Sequence, residues 1–317
     1  MCKILVAEIQ NPVLSFVIPT YKRADLLSQT LDSVLAIKDN LEYEIIVGDN
    51  NSERDDETEN IMLTKYNNPK ITYFKNKENI GGINNWNKLF QLARGKWVTM
   101  IHDDDLLTEN FIEEIKPFLN SNFDIIGFPF NPFKDFNQII RDTSILPVSY
   151  NIISKKHLWI GSPINIAGIT IKKETFNKSS GFNPSLTNAD GTLITEIANK
   201  NNLLRINRPC AWYRISENDS MKEDVMIKAI IEENSRTIKI LKHNLPNLVA
   251  KLIQIRVTSN LENSWKKLFN IDSDFSFYDK SNSVKNFISK FLFISYSKFM
   301  RLPNKDKDYI LKRYSSK

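Results

Sequence analysis

Trp97-Val98-Thr99-Met100-Ile101-His102-Asp103-Asp104-Asp105 decides how the chain is read. Five strand-forming residues run straight into a histidine and three consecutive carboxylates. Adjacent carboxylates repel one another, so such a run persists where solvent or a cation screens it. Hard divalent cations take oxygen ligands, and Mg²⁺ or Mn²⁺ commonly bridges one or two carboxylates to substrate phosphates. The plainer alternative is an acidic loop ahead of a helix, because Asp favours helix N-termini. A strand ending in this chemistry fits an open α/β sheet, whose ligands sit beyond the carboxyl ends of the strands.

Outward from that stretch, the N-terminal half alternates. Residues 14–18, 44–48, 71–74 and 97–101 read as strands. Residues 25–35, 60–66, 84–93 and 108–119 carry helical apolar spacing, with Thr108 expected as the last helix's N-cap. The rhythm predicts an α/β fold, a mostly parallel sheet flanked by helices. The strand tips at 20–23, 49–52 and 102–105 are then the functional positions. Further on, 123–130 and 164–171 are strand-like and 131–149 reads as a loop or hairpin. Residues 181–184 form a turn, 192–200 a helix and 203–206 a short strand. Past about Ser220 helical periodicity takes over, which sets a boundary near Asp219: a catalytic domain over 1–219 and a helical region over 220–317.

The bulk numbers exclude several classes. With 41% hydrophobic and 25% charged residues in 317, the chain is an ordinary globular protein. The net charge of +6 is concentrated: residues 281–317 hold nine Lys or Arg against two Asp. A basic tail on a nearly neutral body points away from nucleic acid and toward an anionic membrane surface or partner, the alternative being a solvated helix end. Cys2 and Cys210 make neither a metal-ligand spacing nor a disulfide framework, which suits a reducing, cytoplasmic compartment. Residues 1–10 lack a signal-peptide core, and no apolar run is long enough to span a bilayer. Phe287, Ile288, Phe291, Leu292, Ile294, Tyr296 and Phe299, interleaved with Lys285, Lys290, Lys298 and Arg301, read as an amphipathic helix. It fits peripheral contact with the cytoplasmic face of the inner membrane, or packing on the catalytic domain or in an oligomer.

Four further constellations stand at loops. Asp49, after residues 44–48, offers a carboxylate to a base or ribose, although Asp-Asn-Asn-Ser is also good turn chemistry. Pro19-Thr20-Tyr21-Lys22-Arg23 puts a hydroxyl and two cations near a helix start, where a nucleotide can be received. Asn79-Ile80-Gly81-Gly82 permits close backbone approach but lacks dinucleotide-fingerprint spacing. Asp190 precedes an apolar helix and is either a general base or an N-cap.

Taken in order, these segments resemble the family 2 glycosyltransferases of bacterial surface-polysaccharide type, which have the GT-A fold. The resemblance runs from Phe16-Val17-Ile18-Pro19-Thr20-Tyr21 through Glu44 to Ser52, Asn79-Ile80-Gly81-Gly82, Ala93-Arg94-Gly95-Lys96 and Asp103-Asp104-Asp105-Leu106-Leu107. Gly181-Phe182, Asp190 and Tyr213-Arg214 extend it to about residue 215. It implies that Asp49 holds the nucleotide base, usually uracil. Pro19, Thr20, Tyr21 and Arg23, with Asn79 and Gly82, flank the donor. Asp103 lies near the ribose, Asp104 and Asp105 hold Mn²⁺ or Mg²⁺, and Asp190 is the base. His102 stands where an Asp is usual, and Ala189 replaces an acidic neighbour, with Glu196 as a fallback base. The implied reaction is an inverting transfer of a sugar from a UDP-sugar to a hydroxyl of a glycan or lipid-linked acceptor, in lipopolysaccharide, capsule or related synthesis. The absent Gln-x-x-Arg-Trp motif favours transfer of a single sugar. Nucleotidyl transfer, disfavoured by a Gly-free N-terminal loop, and an inactive sugar-nucleotide or glycan binder are the competing readings.

Overall fold

The structure is a computed structural model that describes residues 2–160, 163–215, 222–269, 276 and 283–315. The first half runs β1 (Cys2–Leu5), β2 (Leu14–Thr20), α1 (Ala24–Leu35), β3 (Tyr43–Asp49), α2 (Glu57–Thr64), β4 (Ile71–Lys75), α3 (Gly82–Leu92) and β5 (Trp97–Met100). After the acidic loop come β6 (Leu106–Leu107), α4 (Phe111–Ile115), β7 (Ile125–Gly127), β8 (Pro132–Phe133) and β9 (Tyr150–Ile153). β10 (Ile169–Lys172), α5 (Lys173–Asn177), α6 (Ala189–Ala198), β11 (Leu203–Ile206) and β12 (Ala211–Arg214) complete the strands. Among the described residues four helices follow: α7 (Glu223–Asn244), α8 (Asn247–Phe269), α9 (Ser283–Phe299) and α10 (Lys307–Tyr314).

Among the described residues nine strands form one sheet in the order β1-β4-β3-β2-β5-β10-β7-β11-β9. β4, β3, β2 and β5 are parallel, as the alternating pattern requires. Every residue of β2 and β3 is buried, which is why both read as near-continuous apolar runs. Beyond β5 the sheet is mixed, because β10 inserts antiparallel to both β5 and β7. Successive strand residues face opposite sides. Phe16, Ile18, Ile45 and Val47 meet a core built with α1, α2, α4 and α10. Val17 and Ile46 meet a second core built with α3, α5, α6, α7 and α8. At Gly48 a Cβ would lie 2.7 Å from Leu89, so glycine lets α3 settle closely on β3.

Several elements differ from the sequence expectation. Thr108 is not an N-cap: its amide bonds to the Cys210 carbonyl at 3.1 Å, and Leu106–Leu107 pair with β12 instead. The helix that follows is short, begins after Asn110 and passes into a 3₁₀ turn at Lys116–Phe118, where Pro117 supplies no N–H. α2 starts at Glu57 because the Asp56 side chain caps it, and α6 starts at Ala189 because Asn188 caps it. Residues 131–149 contain β8 and a 3₁₀ turn at Phe136–Gln138. The expected boundary near Asp219 lies outside the described residues. The C-terminal helices pack on both cores, and Tyr150 and Lys305 exchange backbone hydrogen bonds of 3.0 and 2.8 Å. Among the described residues no helix is long and apolar enough to cross a membrane.

Candidate active site

The carboxyl ends of β3, β2 and β5 lie side by side. Thr20 and Asp49 are register partners, and the Thr20 hydroxyl donates to Asp103 Oδ2 at 2.7 Å. Thr20 therefore ties the tip of β3 to the acidic loop after β5. Residues 20, 49 and 103–105, picked out along 86 positions of sequence, come together at one end of the sheet.

Asp49 is fully buried. Its Oδ1 accepts from the Asn51 amide at 2.9 Å; its Oδ2 accepts from the Tyr73 hydroxyl at 2.7 Å and lies 3.2 Å from Lys75 Nζ. Burial pushes the Asp49 carboxyl up, and these donors pull it back only in part. Lys75 is itself buried and also meets Asp56 at 2.7 Å and Glu59 at 3.4 Å. Burial works against its charge, yet its carboxylate partners raise it overall. Sequence reasoning passed over Lys75 and Tyr73, because β4 looked like plain sheet. Pro19 is buried within β2, while Tyr21 is exposed at the rim. Lys22, between Tyr21 and Arg23, has a φ of 53°, an uncommon state for a side-chain-bearing residue. Asn79 shapes the neighbouring loop: its Oδ1 accepts from Asn50 at 2.7 Å and from the Gly81 amide at 2.9 Å. The positive φ of this loop falls on Gly81, at 81°, and not on Gly82, which begins α3 in open space.

The acidic triplet is divided by its contacts. Asp103, bonded to Thr20, is pushed up to about 6 by burial, with the Asp104 charge adding to it. Asp104 receives Arg23 at 3.1 Å, and the same guanidinium lies 3.5 Å from Asp103. Asp105 Oδ1 accepts from the Arg214 amide at 3.0 Å, Arg214 Nε bonds the Asp104 carbonyl at 2.7 Å, and the Thr30 hydroxyl bonds the Asp105 carbonyl at 2.8 Å. Arg214 also stacks over Phe133 and Phe136, so β12 and α1 together fix the loop's path. Tyr213-Arg214 was legible as a motif, but its grip on the acidic loop was not.

A divalent ion fits here. His102, Asp104 and Asp105 each present a ligand atom, all within 4.8 Å of one another. His102 Nε2 and Asp105 Oδ2 are buried and without a hydrogen-bond partner among the described residues. His102 Nδ1 lies 3.6 Å from Asp105 Oδ2, too long for a hydrogen bond, and buried polar atoms left without one are costly, which a bound ion would relieve. Two carboxylates with one imidazole suit Mn²⁺ at least as well as Mg²⁺. Burial opposes protonation of His102, but Asp105, then Asp104 and Asp103, raise it overall.

His102 leads to the remaining candidate. Its ring packs at 4.9 Å on Trp86, which meets Phe182 edge-on at 5.5 Å. Asn87 pins Phe182 with two backbone bonds of 2.7 and 2.8 Å. Asp190 is not the N-cap of α6: Asn188 is, accepting from the Gly191 amide, and Asp190 sits in the first turn. Burial lifts the Asp190 carboxyl, and the backbone amide of Gly191 and the nearby His102 pull against that. The loop ahead of it is held by α7. Glu232 accepts from the Thr187 and Asn188 amides at 3.0 and 2.7 Å, and Glu233 accepts from the Asn188 side chain at 2.9 Å. Glu196 bonds Ser180 instead. Ala93-Arg94-Gly95-Lys96 stands at the other end of the sheet, where Arg94 bonds buried Glu44 at 2.6 and 2.8 Å. Its role is architectural.

A helix-flanked sheet with carboxylates gathered at adjacent strand tips is the architecture of GT-A nucleotide-sugar transferases. The chain belongs to glycosyl transferase family 2, whose sequence profile it matches over residues 15–180. It is 35% identical over 100 residues to a putative colanic acid biosynthesis glycosyl transferase of Escherichia coli K12, a match covering 32% of this chain and 35% of that one. The first curated relatives are thus spanned over about a third of their own length. Its fold is shared with a Pyrobaculum calidifontis mannosyltransferase solved with GDP-Man and Mn²⁺, at a TM-score of 0.57 and 14% identity, over 93% of this chain and 84% of that one. It is shared too with S. aureus TarS in complex with UDP-GlcNAc, at a TM-score of 0.51 and 16% identity, over 90% and 80%.

Proposed function

We propose that the protein is an inverting, metal-dependent glycosyltransferase that moves one sugar from a UDP-sugar to a hydroxyl of a glycan or lipid-linked acceptor in surface-polysaccharide synthesis. Its catalytic unit is residues 1–219, and it works on the cytoplasmic side of the membrane. The observation that carries the reading is the Thr20 bridge, which sets Asp49 and the acidic triplet at one sheet end.

Asp49, held rigid by Tyr73, Lys75 and the Asn51 amide, is the acceptor for a base N–H. Asn79, Gly82, Pro19 and Tyr21 flank the nucleotide, and Asp103 takes the ribose side. Asp104, Asp105 and His102 would hold the ion, whose chemistry is to neutralise the diphosphate and its developing charge as leaving group. Arg23, already on Asp104, lies where a second positive charge meets the same phosphates. Asp190 accepts the proton of the acceptor hydroxyl as that oxygen displaces the nucleotide, and a burial-raised carboxyl is a stronger base. His102, packed on Trp86 at 4.9 Å, is near enough to Asp190 to act on its charge, which supports placing the base beside the acidic loop.

A thermal-shift screen of UDP-, GDP- and dTDP-sugars with and without Mn²⁺ tests this. The true donor raises Tm by mass action, and only with the ion present. Release of UDP supports the reading. Pyrophosphate release would indicate nucleotidyl transfer, and no stabilisation by any donor would remove it.

A further inference from the structure

α9 presents its apolar side to solvent. Val284, Phe287, Ile288, Phe291, Ile294 and Phe299 are all exposed, the three phenylalanines at 73%, 63% and 83%. At about 100° per residue they share one arc of roughly 140°. The opposite side of the helix, with Leu292, Phe293, Tyr296 and Met300, packs on the second core. α9 is therefore already anchored to the body of the protein, and its outer stripe is a surplus apolar face. Stripes of this size on a water-facing helix mark an interaction surface.

Charge identifies the partner. Exposed Lys285 borders the stripe on one side and exposed Lys290 on the other, exposed Lys298 stands within it in the last turn, and exposed Arg301 follows just past the end of the helix. No acidic residue occurs between 283 and 305. A partner that buries phenylalanine while facing a cationic rim on both sides is an anionic lipid surface, where rings enter the acyl boundary and lysines reach the headgroups. The helix cannot cross the bilayer: among the described residues none is long and apolar enough. We propose that α9 is an in-plane membrane-docking helix that holds the enzyme on an anionic leaflet. A second copy of the chain would have to face the same cationic rim with its own, which disfavours self-association through this stripe.

The test uses the full chain with vesicles of phosphatidylcholine, and with vesicles of equal parts phosphatidylcholine and phosphatidylglycerol. Co-sedimentation is expected to be at least about tenfold stronger on the anionic vesicles and to weaken as salt is raised. Phe287→Ser with Phe291→Ser should lower that binding at least about tenfold with an unchanged melting temperature, since both rings are outside the core. Lys290→Glu with Lys298→Glu should remove the preference for the anionic vesicles. Equal binding to both vesicles, binding to neither, or a dimer by light scattering that the Phe287→Ser, Phe291→Ser variant dissociates would overturn the proposal. No donor enters the assay, so its failure is separate from failure of the transfer reaction.

Discussion

At the scale of single residues, the site is a set of charges kept in an unfavourable place. Asp104 is the sharpest test of the ion. Asp104→Ala should lower transfer by roughly 10²–10³ and abolish the Mn²⁺-dependent part of the donor's thermal shift; an unchanged shift would move the ion elsewhere. Asp190→Asn should cut kcat by roughly 10²–10⁴ while leaving donor stabilisation intact. Burial holds the folded-state pKa of Asp190 above its unfolded value, so the folded protein keeps this proton longer. Its contribution to stability is then present below the unfolded pKa and is lost as pH rises through the folded one. Two consequences can be measured together. The acid limb of the wild-type rate profile should lie above the ordinary carboxylate range, and Asp190→Asn should melt higher than wild type at neutral pH. A variant that melts lower would mean that the charge stabilises the fold. Asp49, Thr20, Asp103–Asp105 and Asp190 were legible in sequence because each follows or begins an apolar element. Lys75 was hidden at the end of a strand that reads as plain sheet, and Arg214 was not assigned its contact because the partner lies far off in sequence: it meets Asp105 across 109 positions.

At the scale of elements, the parallel strands were readable because burial on both faces makes them continuous apolar runs. Helix starts were shifted where a polar cap stands ahead of the periodic stretch, as at Asp56 and Asn188. β10 was legible as a strand within 164–171, but its antiparallel insertion was not, because direction in a sheet leaves no local trace, and the short strands β6, β8 and β12 escaped because two to four residues carry too little pattern. One element-level contact is a test of which motif is chemistry and which is frame. Glu44 lies buried at the far end of the sheet, bonded to Ser15 at 2.7 Å and to Arg94 through backbone and side chain. Glu44→Ala leaves Ser15 and the Arg94 amide short of an acceptor and should cost about 2–4 kcal/mol. Arg94 is half-exposed, which keeps the figure at the lower end. Chemical denaturation measures the loss, and the donor's affinity should not change. A similar argument applies to α7. Glu232→Ala frees the Thr187 and Asn188 amides that aim α6, so kcat should fall several-fold with the donor's thermal shift intact.

At the scale of the whole molecule, the helical region is not an appendage beside a finished domain. The change of periodicity near residue 220 was plain in sequence, but where the helices dock was not, because docking depends on which apolar faces the sheet leaves uncovered. α10 shows how far the chain returns. Ile310 is fully buried in the first core, the Tyr314 ring stacks on Phe123 at 4.8 Å, and the Asn122 amide bonds the Tyr314 carbonyl at 2.8 Å. Tyr150, at the start of edge strand β9, has its backbone closed by Lys305. Removing residues 303–317 would uncover Phe123 and reopen the β9 edge, exposing apolar surface and unpaired backbone together. Ile310→Ala, which keeps the backbone pairing, should cost about 2–4 kcal/mol from the cavity alone. The deletion should cost more than that single substitution, and should lower the melting temperature of the one cooperative transition without creating a second. Two separate transitions in calorimetry, with the donor's stabilisation confined to one, would mean that the catalytic unit and the helical region fold independently, and that the contacts of α10 are incidental to its stability.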